Sequence, residues 1–283
     1  MVNRNDYTEE AVAAARSVMI ELVHLLGAYR DHAVLVGGWV PVFLISNPGT
    51  SHVGSMDIDL ALDHRHIRED GYKTIRRLLS GGGYEQTDQK FIFLRRIRAK
   101  GREITVQVDL LSGEYGGTVA KRRHQRIGDL KVRKARGCDI AFESSVLLTL
   151  SGELPGGAKD SVKIHVASLV PFLVMKGMAL DERLKEKDAY DIHYCLVNYP
   201  GGLAAIASEF KPHLANKLVR EGLNKIAKHF TSIDSIGPRF VADFENLGTG
   251  EERDILRRDA FERVQALMRM LNPGESPEKR GAK

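Results

Sequence analysis

The chain has 283 residues, of which 43% are hydrophobic and 28% are charged. This is the composition of an ordinary globular protein, and the length allows one or two domains at roughly 100–200 residues per domain. Two cysteines, Cys138 and Cys195, are too few for a disulfide-stabilised scaffold and lack metal-ligand spacing. The net charge of +5 weakly favours a polyanionic partner such as a nucleic acid or a nucleotide.

The first ten residues, MVNRNDYTEE, lack the apolar core of a signal peptide. No run of the sequence reaches the roughly 18 apolar residues of a membrane-spanning helix. We therefore expect a cytoplasmic protein with no membrane partner.

The first predicted elements form a helix, a strand, a glycine turn and a second helix. Residues 8–29 predict a helix, and AVLVGG predicts a short buried strand that ends at Gly37-Gly38. A helix over WVPVFLIS follows directly, with Pro41 in its first turn, where a missing N–H costs little. Because glycines and a helix N-terminus let backbone N–H groups approach a phosphate, Gly37 and Gly38 are candidate phosphate ligands. The pair could equally be a tight turn.

Strands and helices then alternate along the chain. MDIDLALD predicts a strand, YKTIRRLLSGG a helix, and residues 84–111 paired strands that turn at Ala99–Gly101. After a basic stretch, SSVLLTLSGEL and DSVKIHVA predict two more strands around a turn at Pro155–Gly157. The pattern from Ser168 onward is helical, and the last helix carries an apolar stripe that consists of Leu256, Ala260, Val264, Leu267 and Leu271. We expect a domain over residues 1–167, a helical domain over 168–272 and a disordered tail over 273–283.

Two aspartates interrupt the apolar run VGSMDIDLALD. Side chains alternate along a strand, so Asp57 and Asp59 share one face while Ile58 and Leu60 point to the other. Two carboxylates this close suit a cation between them, and Mg²⁺ commonly binds one or two carboxylates together with substrate phosphates. The alternative is a strand end whose acids are simply hydrated.

A third acid strengthens the metal hypothesis. The segment EITVQVDLL places Val106 and Val108 on the core face and Gln107 and Asp109 on the opposite face. A carboxylate on a neighbouring strand would complete a site for two magnesium ions.

Gly37-Gly38 at a helix start, Asp57-Ile58-Asp59 about twenty residues later and Asp109 on a later strand resemble the nucleotidyltransferase fold of the polymerase-beta-like enzymes. The resemblance implies an α+β fold, in which a mixed sheet with flanking helices is followed by the mainly helical C-terminal domain. It also implies that Asp57, Asp59 and Asp109 are catalytic and hold two Mg²⁺ ions, and that Gly37 and Gly38 bind the nucleotide.

A second segment, LVPFLVMKGMALDERLKEKDAYDIHYCL, is similar to the helical motif of the AbiEii-type nucleotidyltransferase toxins. The matching positions are Lys176, Ala179-Leu180, Arg183, Lys187-Asp188 and Asp191. The resemblance implies that Lys176, Arg183, Lys187, Asp188 and Asp191 contribute to nucleotide binding, and the cations share roughly one helix face. The alternative is a solvated helix face on which the acids pair with neighbouring bases, although Lys176 lies in an apolar run and needs a partner.

The sequence departs from the family pattern just before the paired aspartates. An arginine and a lysine that family members often carry there are Val53 and Met56 in this chain. Ser55 matches the small hydroxyl residue of the family and is assigned to nucleotide binding, and His52 could replace some of the missing positive charge.

Two basic segments are candidate RNA contacts. Residues 121–137 contain eight Lys or Arg and one acid, and residues 95–102 contain five Lys or Arg. Either segment could bind the phosphates of an RNA acceptor, and a charged surface hairpin is the equal alternative.

These observations predict a magnesium-dependent enzyme that transfers a nucleoside monophosphate from a nucleoside triphosphate (NTP) to an acceptor hydroxyl. The family resemblance implies an RNA acceptor, such as the 3′ end of a tRNA, and a cognate antitoxin protein. One alternative is a nucleotidyltransferase that modifies a small molecule or a protein. The other is a non-catalytic nucleotide-binding module, which would have little need for three converging acids.

Overall fold

The computed structural model describes residues 3–45, 51–67, 69–99, 101–113, 124–127 and 130–272. The chain forms two compact units. One, the sheet unit, comprises Tyr7–Phe43 and Val53–Phe172, and the other, the helical unit, comprises Met1–Asp6, Leu44–His52 and Leu173–Lys283. The domain limits predicted above remain a prediction, and the predicted tail lies outside the described residues.

A mixed sheet of nine strands forms the sheet unit. The strands are β1 (Ala33–Val36), β2 (Asp57–Leu62), β3 (Tyr84–Gln86), β4 (Ile92–Ala99), β5 (Arg102–Ser112), β6 (His124–Ile127), β7 (Leu130–Lys134), β8 (Ser145–Glu153) and β9 (Lys159–Ala167). Their order is β3-β4-β5-β2-β1-β9-β8, and the β6–β7 hairpin joins through β7 to β5. The pairs β2–β5, β1–β9 and β5–β7 are parallel and the others are antiparallel.

Ten α-helices accompany the strands in the described residues. They are α1 (Glu9–Leu26), α2 (Val40–Leu44), α3 (Glu69–Gly81), α4 (Cys138–Glu143), α5 (Leu169–Arg183), α6 (Glu186–Asn198), α7 (Gly202–Phe210), α8 (Lys217–His229), α9 (Ile236–Phe244) and α10 (Glu251–Leu271). This mixed sheet with flanking helices, followed by a run of helices, confirms the predicted α+β class.

Helix α1 covers one face of the sheet. It begins where the Thr8 side chain accepts a hydrogen bond from the Ala11 N–H, which satisfies one of the unpaired donors of the first turn. Glu21 of α1 accepts two hydrogen bonds from Arg95 of β4, at 2.8 and 3.0 Å. Arg95 lies opposite Val106 in the β4–β5 register. The α1 face is therefore the face of β5 that carries Val106 and Val108.

A stretch from Glu9 to His32, which is α1 and its short continuation, is long and apolar enough to cross a membrane by length and composition alone. No such stretch was expected from the sequence. In the structure many of its apolar residues are buried in the sheet unit, among them Ala15, Val18 and Leu22. A core helix has these same features.

The helical unit is built around α6 and α10. Every residue of α6 from Lys187 to Leu196 is buried, including Lys187, Asp188, Asp191 and His193. On α10, four members of the predicted stripe are buried and Leu256 is half-buried. The 3.6-residue period therefore identified the packing face of α10 correctly.

Candidate active site

The three predicted catalytic acids lie on two adjacent parallel strands. Residues directly opposite each other in the β2–β5 register include Asp59 with Asp109 and Asp57 with Gln107. Opposite residues point to the same face of a sheet, so all three carboxylates share one face. The α1 face carries Val106 and Val108, which means that the acids lie on the face away from α1.

Burial differs among the three carboxylates. Asp57 and Asp59 are partly exposed, whereas Asp109 is buried, with an exposed fraction of 5%. Ile58 and Leu60, between and after the two β2 acids, are fully buried on the α1 side. The alternation that the sequence predicted for β2 is therefore confirmed, and it leaves Asp57 and Asp59 accessible to a solute.

Neighbouring side chains hold the carboxylates in place. The Ser55 hydroxyl donates to Oδ1 of Asp57 at 2.5 Å, and the Gln107 amide donates to Oδ1 of Asp109 at 2.7 Å. Arg133 of β7 lies 3.9 Å from Oδ2 of Asp109. Asp57 has no ion pair among the residues that the structure describes, so its charge is not neutralised by a neighbouring cation there.

The Gly37-Gly38 turn packs directly against Asp59. Gly37 has a positive φ of 73°, and a Cβ added to it would lie 2.1 Å from Oδ2 of Asp59. Only glycine satisfies both the backbone conformation and this contact. The turn is thus shaped around the carboxylate, and Gly37 lies beside the acids of β2.

The helix after the glycines differs from the prediction. Residues Gly37–Trp39 form a short 3-10 helix, and α2 extends only from Val40 to Leu44. A helix of five residues has a small dipole. For the proposed phosphate binding, the backbone N–H groups and the close approach that glycine allows therefore matter more than the helix dipole.

Trp39 contributes to the site in a way that the sequence did not indicate. Its indole N–H donates to the backbone carbonyl of Asp57 at 2.9 Å, and the ring is buried beside Phe43. This bond ties the segment after the glycines to the start of β2. The only sequence feature that points to such a role is the position of Trp39 directly after Gly38.

The donor set of the site fits magnesium by its chemistry, because the candidate ligands are all oxygens and three of them are carboxylates. Within the described ranges, no group of three or more His, Cys, Asp or Glu side chains is arranged to hold a metal ion. Asp57 and Asp109 point one oxygen each at Ser55 and Gln107. Assignment of Asp57, Asp59 and Asp109 as metal ligands therefore stays a prediction.

The charged residues of the second motif form a buried cluster in the helical unit. Asp188 and Asp191 of α6 have no exposed surface. Lys176 Nζ lies 2.8 Å from Asp188 Oδ1 and 2.6 Å from Asp191 Oδ2. Arg183 donates to both oxygens of Asp188, at 2.7 and 2.8 Å, and Lys187 donates to Asp191. The pairing in the alternative hypothesis is observed, but the acids are buried and not solvated. The expectation of one helix face is wrong, because Lys176 and Arg183 lie on α5 whereas Lys187 and both acids lie on α6.

The cluster shifts the pKa values of its members in opposite directions. Burial alone would raise the pKa of Asp188 and of Asp191, but Lys176 and the other neighbouring cations lower both. Burial would lower the pKa of Lys176, yet the two carboxylates raise it overall. For Lys187 the effect of burial is larger than the opposing effect of the Asp191 charge, so the pKa of Lys187 is lowered. Three cations thus share two carboxylates in a water-poor environment.

His52 belongs to this cluster. Its Nε2 lies 2.8 Å from Oδ1 of Asp191, and its side chain is 1% exposed. Burial and the positive charge of Lys187 lower the pKa of His52 from 6.5 to about 4, although Asp191 opposes the shift. His52 is therefore neutral near pH 7, which means that it does not replace the positive charge missing at Val53 and Met56.

We predict that Gly37→Ala lowers the free energy of unfolding by about 1–3 kcal/mol, because alanine is strained at a positive φ and its methyl group would displace Asp59. Gly81→Ala is the matched control, since Gly81 lies at the end of α3 with no neighbouring atom within 4 Å of an added Cβ. Urea denaturation of the two variants measures the difference. Equal stabilities would contradict the proposed contact of Gly37 with Asp59.

We also predict that His52 makes stability depend on pH. Between pH 6.5 and about 4 the unfolded chain protonates this histidine and the folded chain does not, so the free energy of unfolding falls as pH falls. The contribution lost over this interval is about 3 kcal/mol.

The variant His52→Gln should lose this part of the pH dependence in denaturation measured at several pH values. His24→Gln, at a ring that is 68% exposed, should retain it. If the free energy of unfolding changed with pH by the same amount in the wild-type chain and in His52→Gln, the assignment of a buried, neutral His52 would be wrong.

The chain was compared with protein families, with curated proteins and with solved structures. The family described as nucleotidyl transferase AbiEii toxin, type IV toxin–antitoxin system, matches residues 22–279. No curated protein and no solved structure matched. The family match includes the glycine turn, the three acids and the charged cluster of α5 and α6, and it covers nearly the whole chain. The chain therefore belongs to the AbiEii nucleotidyl transferase toxin family.

Proposed function

We propose that the protein transfers a nucleoside monophosphate from an NTP to an acceptor hydroxyl on RNA, at the 3′ end of a tRNA. The proposal includes a dependence on magnesium, a cytoplasmic location and inhibition by a cognate antitoxin, as its family suggests. One observation carries it: Asp57, Asp59 and Asp109 share one face of two adjacent strands, beside a glycine turn that contacts Asp59. Carboxylates in this arrangement suit phosphoryl chemistry.

Asp57, Asp59 and Asp109 would hold two magnesium ions, which when bound neutralise triphosphate charge and lower the pKa of the attacking hydroxyl. The chain's own groups prepare for this binding. Ser55 and the Trp39 indole orient Asp57, and Gln107 orients Asp109. Because these donors fix the carboxylates before the substrate arrives, less ordering is needed in the reaction. In this proposal Asp109 would also accept the proton of the acceptor hydroxyl.

The phosphates of the NTP would bind at the backbone of Gly37 and Gly38, which have no side chains of their own. In this proposal Lys176, Arg183 and Lys187 also contribute to nucleotide binding. These cations already have carboxylate partners, and Arg183 has the most exposed side chain of the three, at 37%. Arg183 is therefore the cation of this cluster most accessible to a ligand, and Lys176 and Lys187 would act by fixing Asp188 and Asp191.

The RNA acceptor follows from the family resemblance, and the two basic segments are its candidate contacts. Arg95 and Arg96 of the first segment are paired with Glu21 and Glu85 in the folded chain. Most of the segment from 121 to 137 lies outside the described residues or is described only by its backbone, as β6 and β7. The pairing of Arg95 and Arg96 favours the 121–137 segment as the RNA contact.

We predict that radiolabelled NTPs offered together with tRNA, with protein or with neither will label the tRNA alone. Asp59→Asn should reduce labelling by about 100-fold or more, since it removes a group that acts on the transition state. Electrophoresis and nuclease mapping locate the label. Label on a protein or on a small molecule would show that RNA is not the acceptor. If no acceptor were labelled, the non-catalytic nucleotide-binding module would be the better hypothesis.

We predict that magnesium and an NTP together raise the melting temperature, because ligands that bind only the folded state stabilise it. Asp57→Asn should abolish the rise, as it removes one charge from the site. Asp70→Asn is the matched control, at a carboxylate that is 99% exposed on α3. If the melting temperature rose equally in the wild-type chain and in both variants, the proposed magnesium site would be contradicted.

A further inference from the structure

The strand β8 is at one end of the sheet, and only β9 pairs with it among the described strands. Its other edge presents backbone N–H and C=O groups that a further strand could bind. The opposite end of the sheet is β3, which has only three residues, whereas β8 has nine. Nine residues exceed the usual strand length of about five or six.

The strand β8 itself lacks most of the features that normally prevent strand addition. Such features are prolines, lysines, bulges and short length. The strand SVLLTLSGE contains no proline and no basic residue, and its one charge is Glu153 at the C-terminal end. All nine residues pair with β9 in an uninterrupted register, so there is no bulge. One edge carbonyl, that of Ser151, accepts a hydrogen bond from Arg16 of α1 at 3.3 Å, and a carbonyl oxygen can accept a second bond from a pairing strand.

Apolar side chains accompany this open edge. Val146 is 40% exposed and Leu147 is 54% exposed, and they point to opposite faces because they are consecutive in a strand. Backbone donors and acceptors therefore lie between two exposed apolar side chains, which is the surface that a pairing strand would cover.

We propose that β8 pairs antiparallel with β8 of a second copy of this chain, about a twofold axis at Thr149. This axis is at the middle of the strand and pairs all nine residues. Glu153 then faces Ser145 of the second copy, so no like charges oppose each other. Leu148 faces Leu150, which forms an apolar cross-strand pair.

Side-chain size supports the same register. Val146 and Leu147 face Gly152 and Ser151 of the second copy, where small residues leave room for the larger ones. At the axis Thr149 faces its own equivalent, and Thr–Thr pairs are favourable in antiparallel sheets. The edge is complementary to itself in charge and in size, as an isologous interface requires.

Sedimentation velocity of the full chain over a range of concentrations should show a monomer–dimer equilibrium. Thr149→Lys and Thr149→Glu each place like charges together at the axis, and each should raise the dimer dissociation constant by about fivefold or more. A mixture of the two variants should restore the dimer, because Lys then faces Glu.

Two measurements make the test specific. Thermal melting shows whether each variant folds, which matters because Thr149 lies opposite Lys163 of β9. Ile255→Lys is the matched control, since it removes an apolar side chain that is 59% exposed on α10 and adds the same charge. The control should dimerise as the wild-type chain does.

Mild oxidation gives an independent result. Thr149→Cys should form a disulfide-linked dimer, since residues opposite each other across the axis have the required separation, and Cys138 and Cys195 are buried. A monomeric wild-type chain at every concentration would overturn the proposal. So would folded Thr149→Lys and Thr149→Glu variants that dimerise as tightly as the wild type, since the dimer would then use another surface.

Discussion

The parallel pairing of β2 with β5 determines both the core and the candidate site of the sheet unit. It places Asp59 beside Asp109 and, on the other face, Ile58 beside Val108. A shift of one residue would point Asp109 toward α1 and remove Val108 and Leu110 from the core, since side chains alternate with a period of two. A carboxylate buried without a partner costs several kcal/mol, so the hydrophobic core and the position of the acids select the same register.

Asp57 of the sheet unit and the two acids of the helical unit have opposite electrostatic surroundings. In the helical unit Asp188 and Asp191 are fully buried, and Lys176, Arg183 and Lys187 compensate their charges. In the sheet unit Asp57 remains partly exposed, with a hydroxyl as its hydrogen-bond partner. Neutral hydrogen-bond donors hold a carboxylate in place and leave its negative charge uncompensated, so the charge can attract a cationic ligand. The charge of a carboxylate that is paired with a cation is already compensated.

The sequence predicted the local features of this structure and could not predict the distant ones. Alternation in MDIDLALD was sufficient to place Asp57 and Asp59 on one face, because the period of a strand is a local property. The contact of His52 with Asp191 joins residues 139 positions apart, and no spacing rule reveals it. The same holds for the Trp39 bond to the Asp57 carbonyl. The helix after the glycines was predicted too long, since an apolar run of eight residues does not distinguish a short helix from a long one.

The buried cluster affects how substitutions in the helical motif should be interpreted. Removing Lys176 would leave Asp188 and Asp191 with less compensation in a site from which water is excluded, and breaking a buried pair typically costs about 3–5 kcal/mol. A variant of Lys176 that loses activity could therefore have lost its fold and not its nucleotide contact. A substitution of Arg183 is more informative, because the Arg183 side chain is partly exposed. Lys176 would still pair with Asp188 when the Arg183 guanidinium is removed. Functional evidence about this motif is strongest where the same variant retains the stability of the wild-type chain.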